Sequence, residues 1–306
     1  MAKISALFQN RNFIFLLAIF GGLIAYHGAD WTEPLVVPGL ALVMTISALN
    51  IPNKVFLSPR SLIFPALKGI LMNYIVLATV IILLSTAMIH DESLRVGFVL
   101  VAAVPPAVAI IPFAAFLEGD NTLALIGTVG AYLAALIIMP VMTLNLIGTS
   151  FIEPWKLATI MLELIILPLL VSRLLLWKGW HRPLSRPAGF LTNWSFFIVL
   201  YTIVGLNRTS LVSQPSSIIP VVLITFVGLF LTGYLIECVG RLYHIPQETL
   251  TSLNLLGTLK NYGLSGGLAL TFFNREASLP SAVGSIFLIL YIIWLDFRRK
   301  KRKGAT

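Results

Sequence analysis

Apolar runs long enough to cross a bilayer recur along almost the whole chain, and this constrains the fold more than any other feature. Ten are legible, at roughly 13–28, 34–52, 63–89, 94–117, 121–148, 154–177, 188–206, 217–243, 247–273 and 277–296, each near the ~20 residues a hydrocarbon core demands. Lipid offers no partner to a backbone N–H or C=O, so each run must satisfy its own hydrogen bonds, and the expected fold is an all-α polytopic membrane protein. Composition agrees. Of 306 residues 58% are hydrophobic and 11% charged, with a mean hydropathy of +0.94, which excludes a soluble globular class. The runs leave no stretch long enough for a separate soluble unit, so residues 1–306 read as a single domain. The basic opening MAKISALFQNRNF leads into the first run as a signal peptide would, but no small-residue cleavage site follows, and it is read as a retained first helix.

The distribution of Lys and Arg tests the number of runs, because a missed helix would scramble the alternation of sides. One side collects Lys3, Arg11, Lys54, Arg60, Arg173, Lys178, Arg182, Arg186, Arg241 and the tail RRKKRK at Arg298 to Lys303. The other holds Arg95, Lys156, Arg208 and Arg275. Fifteen against four places both termini in the cytoplasm, in a multi-pass protein of the plasma (inner) membrane. The net charge of +9 is thereby explained as a topology signal, with membrane lipids as the expected partner of the basic tail and nucleic acid excluded.

Ten helices divide into two sets of five, and an odd number per set makes the halves enter the membrane from opposite sides, as in an inverted repeat. The fourth run carries VPPAVAIIP, with Pro105, Pro106 and Pro112; the ninth carries LGTLKNYGLSGG, with Gly257, Gly263, Gly266 and Gly267. Interrupted helices at corresponding positions point to a binding site, since unwound backbone is tolerated only where it lines a cavity or is buried in protein. Prolines and glycines also serve membrane helices as kinks and close-packing sites.

Ionisable groups inside the runs are few: Lys68, Glu163, Glu237 and Lys260, with Arg241 and Asp296 near ends. Lys68 lies close enough to the cytoplasmic interface to snorkel. Glu237 and Arg241 have the i, i+4 spacing of an intrahelical ion pair. Lys260 lies more than a dozen residues from either end of its run, which at ~1.5 Å per residue puts it near the midplane. A charge there costs about 3 kcal/mol or more on insertion scales, so it needs a partner in the protein interior or must give up its proton. Glu163 is the one carboxylate at similar depth and is the first candidate. Neutral polar residues near that depth are Asn73, Thr128, Asn254, Thr258, Asn261 and Tyr262, of which Thr258 and Asn261 cluster on the broken ninth helix. No metal-ligand spacing, phosphate loop or nucleophile–base set is present; His27, His90, His181 and His244 fall at loops, and the lone Cys238 excludes a disulfide or a cysteine cluster. Neither a cofactor nor a bound metal is expected, and the chain does not read as an enzyme.

Ten helices, a proline-broken fourth and a ninth with KNYGLSGGLALTFF resemble the bile acid:sodium symporter family, whose ninth helix carries a G-M-Q-N-S-G-L type motif. PGLALVMTISALNI in the second run and AAVPPAVAIIPFAAFLEGDNTLAL across the fourth and fifth carry the likeness over most of the chain. Related arsenite carriers use a cysteine on the fourth helix, and none stands there here. The resemblance implies that the fourth and ninth helices cross at their unwound centres. It also implies a core of approximately 60–148 and 215–297 moving against a panel of approximately 12–55 and 152–207.

Carried over residue by residue, the family's sodium positions are mostly lost. The serine–asparagine pair after the fourth-helix break becomes Ile110 and Ile111, and the fifth-helix serine becomes Ala124, while Thr128 survives. The ninth-helix glutamate becomes Leu256 and its glutamine Lys260; the third-helix glutamine becomes Asn73. Aliphatic side chains offer sodium no oxygen. The expectation is a sodium-independent secondary transporter that moves a small organic anion by alternating access, with the Lys260 ammonium replacing a bound cation. A permanently charged lysine would be a fixed tether, whereas one that releases its proton each cycle would couple transport to protons. The alternative is a channel or sensor that keeps the fold without coupled transport.

Overall fold

The structure is a computed structural model and describes residues 11–49, 53, 59–107, 109–148, 166–185, 187–208 and 215–303. Helices account for nearly all of it, with no strand among the described residues. In chain order they are α1 (Arg11–Ile24), α2 (Val36–Leu49), α3 (Pro59–Ile70, continuing through a π-helical Leu71–Leu77 into Ala78–Met88), α4 (Glu92–Ala103), α5 (Ile110–Phe116) and α6 (Asn121–Ile147). There follow α7 (Leu167–Trp177), α8 (Ala188–Leu206), α9 (Pro215–Phe226, π-helical Val227–Leu231 and Thr232–Leu242), α10 (Gln247–Leu256), α11 (Tyr262–Phe272) and α12 (Arg275–Lys303).

Among the described residues five helices are long and apolar enough to cross a membrane: Leu62–Met88, Asn121–Ile147, Ala188–Leu206, Ile218–Leu242 and Arg275–Lys301. The other runs read from the sequence take different forms. The first two become Phe13–Ile24 and Tyr26–Ile46, bent by 96° where they join, and count as a sixth crossing only if taken together. The fourth and ninth runs are each cut in two, into α4 and α5 and into α10 and α11, so neither half has spanning length. The sixth run enters the described residues only at its end, in Leu167–Trp177.

Local chemistry sets several helix ends. Asp91 caps α4 through Leu94 N at 2.8 Å, and Asp120 caps α6 through Thr122 N and Leu123 N at 3.0 Å each. Each carboxylate satisfies backbone donors that would otherwise be orphaned in the first turn. The surface is inverted relative to a water-soluble protein. Phe64, Ile75, Leu83 and Ile137 are exposed, while Asn73, Asn254, Thr258, Lys260, Ser265 and Ser281 are buried. Lys68 is exposed, in keeping with a snorkelling role.

Small residues let the helix backbones approach. Between α3 and α6 a Cβ at Gly69 would lie 2.2 Å from Gly127 O, and one at Gly130 would lie 2.5 Å from the Ala66 Cβ. Between α1 and α8 a Cβ at Gly22 would lie 2.8 Å from Tyr201 O. Such contacts give van der Waals packing where lipid removes the hydrophobic drive for helices to associate.

Candidate ion and solute site at the meeting of two broken helices

Proline supplies no N–H and fixes its own φ, so Pro105 and Pro106 end α4 and leave the carbonyls of its last turn without intrahelical donors. Val104 to Ala107, and Ala109, are non-helical. α10 ends at Leu256, and α11 restarts at Tyr262 with Asn261 as its cap, its Oδ1 accepting from Leu264 N at 3.0 Å. The two breaks meet. Asn261 N donates to Pro105 O at 3.1 Å and Ala107 N donates to Leu259 O at 3.2 Å, making an antiparallel bridge between Pro106 and Lys260. Backbone that left one helix is thus satisfied by the other, as an interior without water requires.

Lys260 is fully buried. Its Nζ donates to Asn73 Oδ1 at 2.7 Å, Ala102 O at 2.7 Å and Val104 O at 3.0 Å, and lies 4.8 Å from the centre of the Tyr74 ring. An ammonium has three N–H groups, and three acceptors meet them. Two of these are the freed carbonyls at the C-terminus of α4, the negative end of that helix. The third hangs from the π-helical turn of α3, a distortion often found at functional positions. The charge therefore sits in a cage of neutral oxygens and one aromatic face. Glu163, its candidate partner from the sequence, lies outside the described residues.

The remaining sequence candidates divide. Asn73 belongs to the cage; its Nδ2, like Thr128 Oγ1, is buried with no partner among the described residues. Asn261 caps α11 and also donates through Nδ2 to Tyr132 OH at 3.0 Å. Thr258 donates to Asn254 O at 2.7 Å and so closes the last turn of α10. Tyr262 N donates to Lys260 O at 3.0 Å, while its ring packs so tightly on Gly284 that a Cβ there would lie 2.2 Å away. Pro105 and Pro106 lie between α4 and α5. Pro112, read from the sequence as a helix-break residue, stands instead in the first turn of α5, where a missing N–H costs nothing.

Gly257 and Gly263, expected as unwinding residues, lie at helix ends where neighbours press close. A Cβ at Gly257 would meet Ile236 at 2.6 Å and Met72 at 2.7 Å, and one at Gly263 would meet Leu40 at 3.1 Å. Sequence reasoning missed Tyr74, Tyr132 and the carbonyls of Ala102 and Val104. Tyr132 follows Thr128 at i+4, which was the available signal.

Other positions behave as their chemistry dictates. Ile110, Ala124 and Leu256, which replace oxygen-bearing residues of the resembled family, are fully buried in one apolar cluster. Glu237 pairs with Arg241 at 2.9 Å, as the spacing required, and also with Arg298 at 3.2 Å. Asn254 bridges three helices, donating to Gly233 O at 3.0 Å and accepting from Tyr291 OH at 2.6 Å. Beside the meeting point a cavity of about 50 Å³ is bounded by Phe15 of α1, Phe196 and Leu200 of α8, Asn261, and Ser285 and Leu288 of α12. The Lys260 ammonium is held from the α3 and α4 side.

The chain is 22% identical over 232 residues to the probable sodium/metabolite cotransporter BASS3, chloroplastic, of Oryza sativa subsp. japonica. That alignment covers 74% of this chain and 54% of the relative, so the chain spans about half the relative's length. A sequence model of the sodium bile acid symporter family matches residues 37–214, which hold Asn73, Pro105, Pro106 and Thr128. Together with the apolar helices, that match makes this a multi-pass membrane protein. Matched over more than half its length, the chain belongs to the sodium bile acid symporter family.

Proposed function

We propose that this protein is a secondary transporter, not an enzyme, that moves a small organic anion by alternating access without sodium. The observation that carries the reading is the Lys260 ammonium, bound by Asn73 Oδ1 and the carbonyls of Ala102 and Val104 where two broken helices meet. A bound cation would do the same work, neutralising the carbonyl end of α4 and joining α3 to the break. Sodium needs several hard oxygens, and fully buried Ile110, Ala124 and Leu256 supply none. The cavity beside Asn261 is the place for the solute, and the N-terminus of α11 gives that place a positive field for an anion.

In this reading the panel comprises α1, α2, α7 and α8, and the core comprises α3 to α6 and α9 to α12. The two π-helical turns, Leu71–Leu77 and Val227–Leu231, fall on the third and eighth runs, as the two breaks fall on the fourth and ninth. Both pairings support two inverted five-helix repeats. The excess of basic residues on one side supports cytoplasmic termini in the plasma membrane, with the basic tail of α12 against anionic lipid. Lys260 acts as a permanent tether, or gives up its proton during the cycle and couples transport to protons.

Uptake of labelled small organic acids into proteoliposomes decides between these. Counterflow of a solute at equal rate with sodium or with potassium is the expected result, and pH dependence that vanishes in Lys260→Ala would mark proton coupling. Strict dependence on sodium would overturn the reading, and flux without counterflow would point to a channel.

A further inference from the structure

The glycines of α11 form a smooth face on which α2 and α8 sit. A Cβ at Gly263 would lie 3.1 Å from Leu40 and 3.4 Å from Val199, one at Gly266 2.6 Å from Ile203, and one at Gly267 3.0 Å from Leu40 and 3.2 Å from Val36. Branched side chains thus press directly on helix backbone. Val36, Leu40, Val199, Ile203, Leu264 and Leu268 bury one another in a single apolar cluster, which excludes water from this stretch of the interface. Small residues suit such a surface because one rigid body can slide or lift from it without rotamers interlocking.

Two polar links pin this seal at its end remote from the cavity. Asn207, which follows α8, donates through Nδ2 to Ser278 Oγ of α12 at 2.6 Å, and both residues are buried. Farther out, Arg275 at the start of α12 pairs with Asp30 in the short helix Ala29–Thr32 between α1 and α2. The cavity lies at the other end: Leu288 follows Arg275 by thirteen residues, about 20 Å along the helix. Phe15, on the cavity wall, lies toward the end of α1 remote from that short helix.

We propose that Asp30–Arg275 and Asn207–Ser278 are the latch of a gate, that the glycine face of α11 is its seat, and that this structure is the state closed on the Asp30 side. The proposal rests on the alternating-access reading and adds the residues that close one side. Opening lifts Leu40, Val199 and Ile203 from the three glycines, and the two polar links set how often that happens. Each link holds α12 to a different part of the panel, so breaking either one biases the same equilibrium.

Accessibility tests this independently of any solute. In a Cys238→Ala background, Ser285→Cys places a thiol on the cavity wall, and a membrane-impermeant thiol reagent is applied from either face of oriented vesicles. Labelling from the face opposite Asp30 and protection from the Asp30 face are expected, with Asp30→Asn or Arg275→Gln raising labelling from the Asp30 face roughly two- to fivefold, as fits a solvent-exposed ion pair. Equal labelling from both faces, or no change in the two variants, would overturn the proposal. A second arm joins Asp30→Cys to Arg275→Cys with a short reducible bifunctional thiol reagent. Uptake should stop on cross-linking and return on reduction; full uptake with the link in place contradicts the gate. If the parent protein moves no solute, the carrier reading fails while the labelling arm still decides the gate.

Discussion

Lys260→Met is expected to lose transport and to unfold at lower temperature than the parent. The stem is kept and the charge removed, so the change isolates the ammonium. Asn73 Oδ1, Ala102 O and Val104 O would each lose a donor at a site with no exposure to solvent, at about 1–3 kcal/mol per orphaned acceptor. Removing a charge from the membrane interior returns about 3 kcal/mol. At about 2 kcal/mol each the three acceptors outweigh that return, for a net loss of roughly 3 kcal/mol. Thermal unfolding of the purified protein measures it, and a variant as stable as the parent would mean the cage adds nothing.

The second large effect is expected at Gly69→Ala. A Cβ there would stand 2.2 Å from Gly127 O and 2.5 Å from Gly127 Cα. Backbone cannot rotate away as a side chain can, so α3 and α6 must separate, at a cost of about 3 kcal/mol. Asn73 lies one turn farther along α3, so the displacement also pulls its oxygen from Lys260. Gly189→Ala is the matched control, since a Cβ there meets nothing within 4 Å, and it should change stability by less than about 0.5 kcal/mol. Equal unfolding temperatures for the two variants would contradict the close packing of α3 on α6.

The sequence disclosed what depends on composition and depth, and hid what depends on backbone. Lys260 stood out because a charge remote from both ends of an apolar run has to be explained. Its actual partners were illegible for a physical reason: any residue could supply the carbonyls at 102 and 104, and only the break in α4 makes them available. The glycines of LGTLKNYGLSGG suggested unwound chain, yet Gly263, Gly266 and Gly267 all belong to helix and face Leu40, Val199, Ile203 and Val36. Glycine's lack of a Cβ serves close approach as well as turning, and a single sequence cannot separate the two uses. Run lengths likewise could not show the 96° bend that joins the first two helices. The i, i+4 pair of Glu237 and Arg241 was legible because both partners lie on one helix, where spacing alone fixes the contact.

A sodium titration of thermal stability, run on the parent and on Lys260→Ala at constant ionic strength, bears most directly on whether the ammonium stands in for a bound cation. The alanine leaves the oxygens of Asn73, Ala102 and Val104 around an emptied volume. Sodium should therefore raise the unfolding temperature of Lys260→Ala in a saturable way, by linkage to the folded state, and leave the parent unchanged. Saturable stabilisation of the parent by sodium would contradict the substitution of lysine for a cation.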